Sequence, residues 1–125
     1  MIERARRGAY DELYTPLVAV EYILPYIPAG IIWESAPGTG AVVGALQRAG
    51  HEVVWKHADY FEWEPNRWDV QVTNPPFSKK ADWLRRSNKL GKPWALLLPV
   101  TTLGSRECQL QLDGCRVLFL PRRID

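Results

Sequence analysis

The chain has 125 residues, which is the size of one small domain spanning 1–125. With 46% hydrophobic and 24% charged residues it has the composition of an ordinary globular protein, which excludes a disordered chain. The longest apolar run, residues 94–100, is far below the roughly 20 residues of a membrane span, so we expect no membrane partner. No apolar signal core follows the basic residues 1–7, so we expect a cytoplasmic protein. The net charge of +2 is too small to indicate a polyanionic partner by itself.

The chain begins with a predicted loose arm and a helix. Residues 1–13 are polar and show no periodicity, which predicts the arm. Thr15-Pro16 has the form of a helix start, with Thr as N-cap and Pro at the first helical position. Apolar residues then recur at helical spacing, at Leu17, Val20, Ile23 and Leu24. Pro25 and Pro28 end this helix.

Strand and helix patterns alternate over the rest of the chain. Short apolar runs predict strands at 31–34, 53–55, 68–73, 94–98 and 116–120, with a stunted strand at 59–63. Helical patterns lie at 41–49, 78–90 and 105–114. This alternation is typical of a mostly parallel sheet with helices on its faces. The sequence therefore predicts an α/β fold.

A turn with two glycines, residues 34–40, lies between the first predicted strand and the following helix. In open parallel sheets, ligands bind at the carboxyl ends of strands where the strand order reverses. Gly38 and Gly40 would let the backbone approach a ligand closely, and the helix N-terminus would attract a carboxylate. Glu34 at the strand's tip could face an ammonium group. Val43 stands where the dinucleotide fingerprint has its third glycine, so a tight turn without a ligand is an open alternative.

The sequence Asn74-Pro75-Pro76-Phe77 follows the fourth predicted strand and is far more specific. Two prolines end a strand and stiffen the loop, which favours a fixed orientation of reacting groups. The Asn74 side-chain oxygen and the Pro75 carbonyl could accept hydrogen bonds from the two N–H groups of an amide-like or aromatic amine, which frees its lone pair. Phe77 offers a flat face for stacking a planar base. The alternative is a strand end with a chance aromatic.

Together these motifs resemble the class I, Rossmann-like methyltransferases, in particular the N6-adenine DNA methyltransferases and the small stand-alone enzymes of phages and prophages. The resemblance covers Tyr14 to about Ile124 and matches the catalytic motif in all four letters. It implies a three-layer sandwich, S-adenosyl-L-methionine as cofactor, no metal, and methyl transfer to N6 of an adenine flipped out of DNA. If the chain is encoded by a phage, the resemblance implies that it is located in the cytoplasm of the host cell. The implied cofactor-binding residues are Tyr14, Thr15, Pro16, Glu34, Ala36, Gly38, Gly40, Asp59, Tyr60 and Asn74.

The resemblance assigns Asp59 to the amino group of the cofactor's adenine and Tyr60 to its ring face. Two other features depart from the family pattern. The acidic residue that usually holds the ribose at the end of the second strand is replaced by residues 55–57, so either Glu52 or Asp59 would take that role or the ribose would bind weakly. The family's sheet closes with a final antiparallel strand, for which we expect no counterpart before Asp125.

Three classes of function stay open at this point. Methylation of adenine in DNA leads. Enzymes that methylate adenine in RNA, or a glutamine side chain in a protein, use the same kind of four-residue motif. The glutamine enzymes more often have Tyr at its last position, so Phe77 favours a nucleic-acid base as the substrate. A non-catalytic relic that binds the cofactor or a nucleic acid is the third.

The expected macromolecular partners are DNA, or RNA in the alternative, and a second copy of the chain. Candidate nucleic-acid contacts are Ser78, Lys79, Lys80, Arg122 and Arg123, for which a solvated surface is the competing interpretation. The apolar strand 116–120 would lack a neighbour, so we expect a homodimer; the alternative is that this strand pairs with the strand 94–98 and closes the sheet within one chain. Cys108 and Cys115 match no metal spacing and require no disulfide in a reducing cytoplasm.

Overall fold

A computed structural model of the chain describes residues 17–120, and within them four strands form one sheet. The strands are β1 (Ile32–Glu34), β2 (Val53–Trp55), β3 (Val70–Thr73) and β4 (Trp94–Leu96), in the order β2-β1-β3-β4. All three pairings are parallel. The predicted α/β fold with a parallel sheet is therefore confirmed.

Four α-helices lie in the described range, and two of them form the crossovers that parallel strands require, one from β1 to β2 and one from β3 to β4. The four helices are α1 (residues 17–23), α2 (Ala41–Arg48), α3 (Lys80–Leu90) and α4 (Arg106–Gln109), with short 3₁₀ helices at Leu24–Tyr26, Phe77–Lys79 and Val100–Gly104. The proposed start of α1 at Thr15-Pro16 and the loose arm 1–13 lie outside the described residues. None of the helices in the described range is long and apolar enough to cross a membrane.

Side chains alternate between the two faces of the strands, and each face carries its own core. On one face, Ile32 and the β3 valines pack with α1 and α2; this core consists of Val20, Ile32, Val42, Val43, Leu46, Val53, Val70 and Val72. On the other face, Trp33 packs against α3 in an aromatic core that consists of Trp33, Tyr60, Trp68 and Trp83. The sheet is thus the middle of three layers.

The chain moves from β1 to β2 on one side and then returns to the other side of β1 to form β3. This reversal places the carboxyl ends of β1 and β3 side by side, and in open parallel sheets ligands usually bind at such a point. The turn that follows β1 and the loop that follows β3 therefore meet at one place.

Two predicted strands are wrong. Residues 59–63 form a turn, because the Asp59 carboxylate accepts from Phe61 N–H at 2.9 Å and the Asp59 carbonyl accepts from Trp63 N–H at 3.1 Å. Residues 116–120 have no regular structure and pair with no strand of the described chain. Their apolar side chains are largely exposed, so a strand-like composition without a partner did not produce a strand.

Other boundaries shifted by a few residues. The strands predicted at 68–73 and 94–98 are shorter in the structure, where they form β3 and β4. The helix predicted at 105–114 is likewise shorter and forms α4. Ser105 does cap α4, since its hydroxyl accepts from Cys108 N–H at 3.4 Å. Ser78 does not cap α3; it lies inside a 3₁₀ turn that precedes the helix.

Candidate functional site

A small hydrogen-bonded cluster joins the carboxyl ends of β1 and β3. Glu34 ends β1 and is fully buried, while Thr73 ends β3. The Thr73 hydroxyl donates to Glu34 Oε1. The backbone N–H of Ala36 donates to the same oxygen at 2.8 Å and also lies 3.2 Å from the Thr73 hydroxyl oxygen. The cluster therefore links the glycine turn directly to the strand that carries Asn74.

Glu34 is the one acidic residue of this cluster, and its pKa is shifted. Burial raises the pKa of its carboxyl from 4.5 to about 7, and the hydrogen bonds from Thr73 and Ala36 oppose that rise only in part. Its second oxygen, Oε2, is buried and has no hydrogen-bond partner within residues 17–120. An unpaired buried oxygen is costly, so this atom would gain from a proton or from a donor group.

The glycine turn leaves space above the cluster. Gly38 and Gly40 have φ angles of 51° and 86°, which side-chain-bearing residues rarely adopt. A Cβ at Gly38 would meet only the Ala36 carbonyl oxygen at 3.9 Å, and a Cβ at Gly40 would meet nothing within 4 Å. Gly40 is also the N-cap of α2 and supplies no side-chain cap, so the first N–H groups of α2 receive no hydrogen bond from their N-cap residue.

The four motif residues after β3 differ in how much of their surface is buried. Asn74 is half-buried and Pro75 is buried, whereas Pro76 is exposed. Phe77 exposes 46% of its surface. The chain then turns directly into α3 through a bond from Lys79 N–H to the Pro76 carbonyl at 3.0 Å. Phe77 is therefore the motif residue with a partly exposed ring, at the point where the chain turns into α3.

Tyr60 lies in the aromatic core. It exposes 2% of its surface, and its ring stacks on Trp83 with centroids 4.2 Å apart. Its hydroxyl is 2.9 Å from the Ser87 hydroxyl, which also accepts from Gln71 Nε2 at 2.8 Å. Its ring therefore has a structural role here, and covering a cofactor adenine would require Tyr60 to leave this cluster.

The two acids considered for the ribose lie at opposite ends of β2. Asp59 is exposed and follows the carboxyl end of β2, although one of its oxygens already accepts from Phe61 N–H. Glu52 precedes β2 at the amino end, where its carbonyl accepts from Ile32 N–H at 2.9 Å. Because ligands bind at carboxyl ends, the geometry favours Asp59 over Glu52.

The nucleic-acid candidates within the described residues lie where the Asn74–Phe77 segment leads into α3. Ser78 and Lys79 are exposed and Lys80 is half-buried. Arg122 and Arg123 lie outside the described residues, as do the cofactor candidates Tyr14, Thr15 and Pro16.

Sequence reasoning missed Thr73, the residue that ties Glu34 to the motif loop. The available signal was a polar side chain that ends an otherwise apolar strand directly before Asn74. A groove of about 770 Å³ runs between α1 and residues 113–120, and it touches the site only at Thr73 and Asn74.

Within residues 17–120, no three His, Cys, Asp or Glu side chains gather as a metal site would require. Cys108 and Cys115 are both free thiols. Comparisons with models of protein families, with curated proteins and with solved structures gave no match to this chain.

Proposed function

We propose that this chain is a Rossmann-like, S-adenosylmethionine-dependent methyltransferase that modifies the N6 amine of adenine in DNA. One observation carries the proposal. The Asn74–Phe77 loop leaves β3 beside Glu34 and the glycine turn, at the reversal of strand order. The proposal thus assigns an amine-activating loop and an open turn that suits a charged cofactor to the same end of the sheet.

The residues at the carboxyl ends of β1 and β3 fit the proposed cofactor. The unpartnered Glu34 Oε2 suits its ammonium group, and the N-terminus of α2 suits its carboxylate. The open space at Gly38 suits the close approach of a ligand to the backbone. Glu34 is enclosed, so the ammonium contact requires residues 35–40 to move outward when the cofactor binds.

The proposed reaction requires no covalent intermediate between the protein and its substrate. The bound cofactor supplies a methyl group on a sulfonium, which is a good leaving group. The Asn74 side-chain oxygen and the Pro75 carbonyl accept from the two N–H groups of adenine N6 and hold its lone pair toward the methyl group. Phe77 stacks on the flipped base, and the two prolines fix the loop before the base arrives.

Labelled methyl transfer tests the proposal. We would incubate the purified chain and tritiated S-adenosylmethionine in three separate reactions, one with DNA, one with RNA and one with a protein extract. Label is expected in DNA alone, and the matched Asn74→Ala chain is expected to give none. Label confined to RNA or to protein would reject the substrate class. Absence of S-adenosylhomocysteine binding by calorimetry would reject the enzyme altogether.

Two broader expectations belong to the same proposal. The chain acts in the cytoplasm, where its DNA substrate is accessible. It also forms a homodimer, because in the described chain β4 pairs with β3 alone and the apolar residues 116–120 lie unpaired.

A further inference from the structure

The exposed side of α3 carries a basic depression that the catalytic proposal does not use. Its lining consists of Phe61, Lys79, Asp82, Arg85, Arg86 and Lys89. Four of these residues are cations and one is a carboxylate. Arg85 is already paired with Asp82 and lies 3.6 Å from Glu107, so its charge is largely balanced. The excess positive charge therefore comes from Lys79, Arg86 and Lys89.

An aromatic ring lies among these cations. Phe61 is half-buried, and its ring meets Trp83 edge-on at 5.4 Å and Tyr60 edge-on at 5.2 Å. These contacts hold the ring in place, so little conformational entropy would be lost when it stacks on a ligand. The Lys79 ammonium lies 6.0 Å from the Phe61 ring centroid, and the Arg86 guanidinium lies 5.1 Å from that of Tyr60.

Cations interleaved with a fixed aromatic ring are the typical composition of a surface that binds single-stranded nucleic acid. Phosphates pair with the cations, while an unpaired base stacks on the ring. A duplex would offer the phosphates but no free base face. The chemistry therefore favours an unpaired strand over a double helix.

The depression also begins at the catalytic loop. Lys79 follows that loop by two residues, and Lys89 lies near the far end of α3. Ten residues of helix span roughly 15 Å, which corresponds to about four phosphates at the spacing of a stacked strand.

We propose that Phe61, Lys79, Arg86 and Lys89 bind the unpaired nucleotides that flank the target base. This inference rests on the proposed function for the identity of the nucleic acid. It assigns contacts to Phe61, Arg86 and Lys89 in addition to the motif-adjacent lysines. Its consequence is a preference for substrates whose target adenine lies in or next to an unpaired region.

Fluorescence anisotropy with a labelled single-stranded oligonucleotide, without cofactor, tests the surface. The double variant Lys79→Gln/Lys89→Gln removes two exposed cations from the depression. The matched control Arg48→Gln/Arg67→Gln removes two exposed cations elsewhere, one on α2 and one in the loop before β3. Circular dichroism of each variant verifies the fold.

The double variant is expected to bind about tenfold more weakly at low salt. The slope of log affinity against log salt is expected to fall by about 1.4, since each single-strand phosphate contact contributes about 0.7. The control variant is expected to keep the original slope. Phe61→Leu keeps an apolar side chain in the core, and it is expected to weaken binding on the order of tenfold with the slope unchanged.

Equal affinity and equal slope for the double variant and its control would overturn the inference. So would a poly-glutamate peptide that bound as tightly as the oligonucleotide, because it would indicate an acidic protein partner. These outcomes are separate from methyl transfer. A chain that binds the oligonucleotide through this surface and transfers no methyl group refutes the proposed function alone.

Discussion

Replacing Glu34 with glutamine is expected to change how the stability of the protein depends on pH. The Glu34 pKa is raised from 4.5 to about 7 by burial, so the folded protein favours the protonated carboxyl. The stability gained from this preference is complete below about pH 4.5 and is lost as the pH rises through 7. Above that range the folded protein carries a buried carboxylate that the unfolded chain would leave in water.

The size of the effect follows from the two pKa values. The interval from 4.5 to about 7 corresponds to about 3 kcal/mol in the free energy of unfolding, at ~1.4 kcal/mol for each pKa unit. Glutamine has the same shape and no charge, and its oxygen can still accept from Thr73 and Ala36. Its amide nitrogen would occupy the unpartnered Oε2 position, which adds a cost that does not vary with pH.

Urea unfolding of both chains from about pH 5 to about pH 8.5 measures the difference. We expect the Glu34→Gln chain to gain about 2–3 kcal/mol relative to the natural chain as the pH rises across this range. Glu62→Gln, which removes an exposed carboxylate, is the matched control and should show no such gain. A constant difference between Glu34→Gln and the natural chain at every pH would refute the reasoning.

Four further predictions concern the site and the assembly. Asn74→Ala should lower methyl transfer about 10²–10³-fold with S-adenosylhomocysteine binding nearly unchanged in calorimetry, and near-normal turnover would contradict the assigned role. Gly38→Val should abolish that binding, because valine rarely adopts a φ of 51° and would fill the open space; retained binding would place the cofactor elsewhere. Phe77→Ala should weaken binding to DNA with an unpaired adenine more than binding to paired DNA, whereas equal losses would make the ring structural. Light scattering should give twice the 14.3 kDa chain mass at micromolar concentration, and a constant monomer mass would refute the dimer.

The β1–turn–α2–β2 unit was predictable because its signals are local. Apolar runs define the strands, and the positive φ angles at Gly38 and Gly40 are the kind that glycine tolerates best. The Asn74–Phe77 loop was predictable for the same reason, since two prolines end a strand wherever the strand lies.

Features that depend on distant partners were not predictable. The stretch 59–63 resembles a strand because it is aromatic, yet Tyr60 is buried by stacking on Trp83 rather than by strand pairing. Residues 116–120 have strand composition, but a strand also needs a neighbour that supplies hydrogen bonds. The link from Thr73 to Glu34 joins residues 39 positions apart, and only the register of β1 against β3 brings them together.

The most direct test of the central claim is the N6-methyladenine content of DNA from cells that express this chain. A host without adenine methylation of its own would carry either the natural chain or Asn74→Ala, and digested DNA would be quantified by mass spectrometry. We predict N6-methyladenine with the natural chain and background levels with Asn74→Ala. Equal, background levels from both chains, with the natural chain folded and binding S-adenosylhomocysteine, would contradict the account.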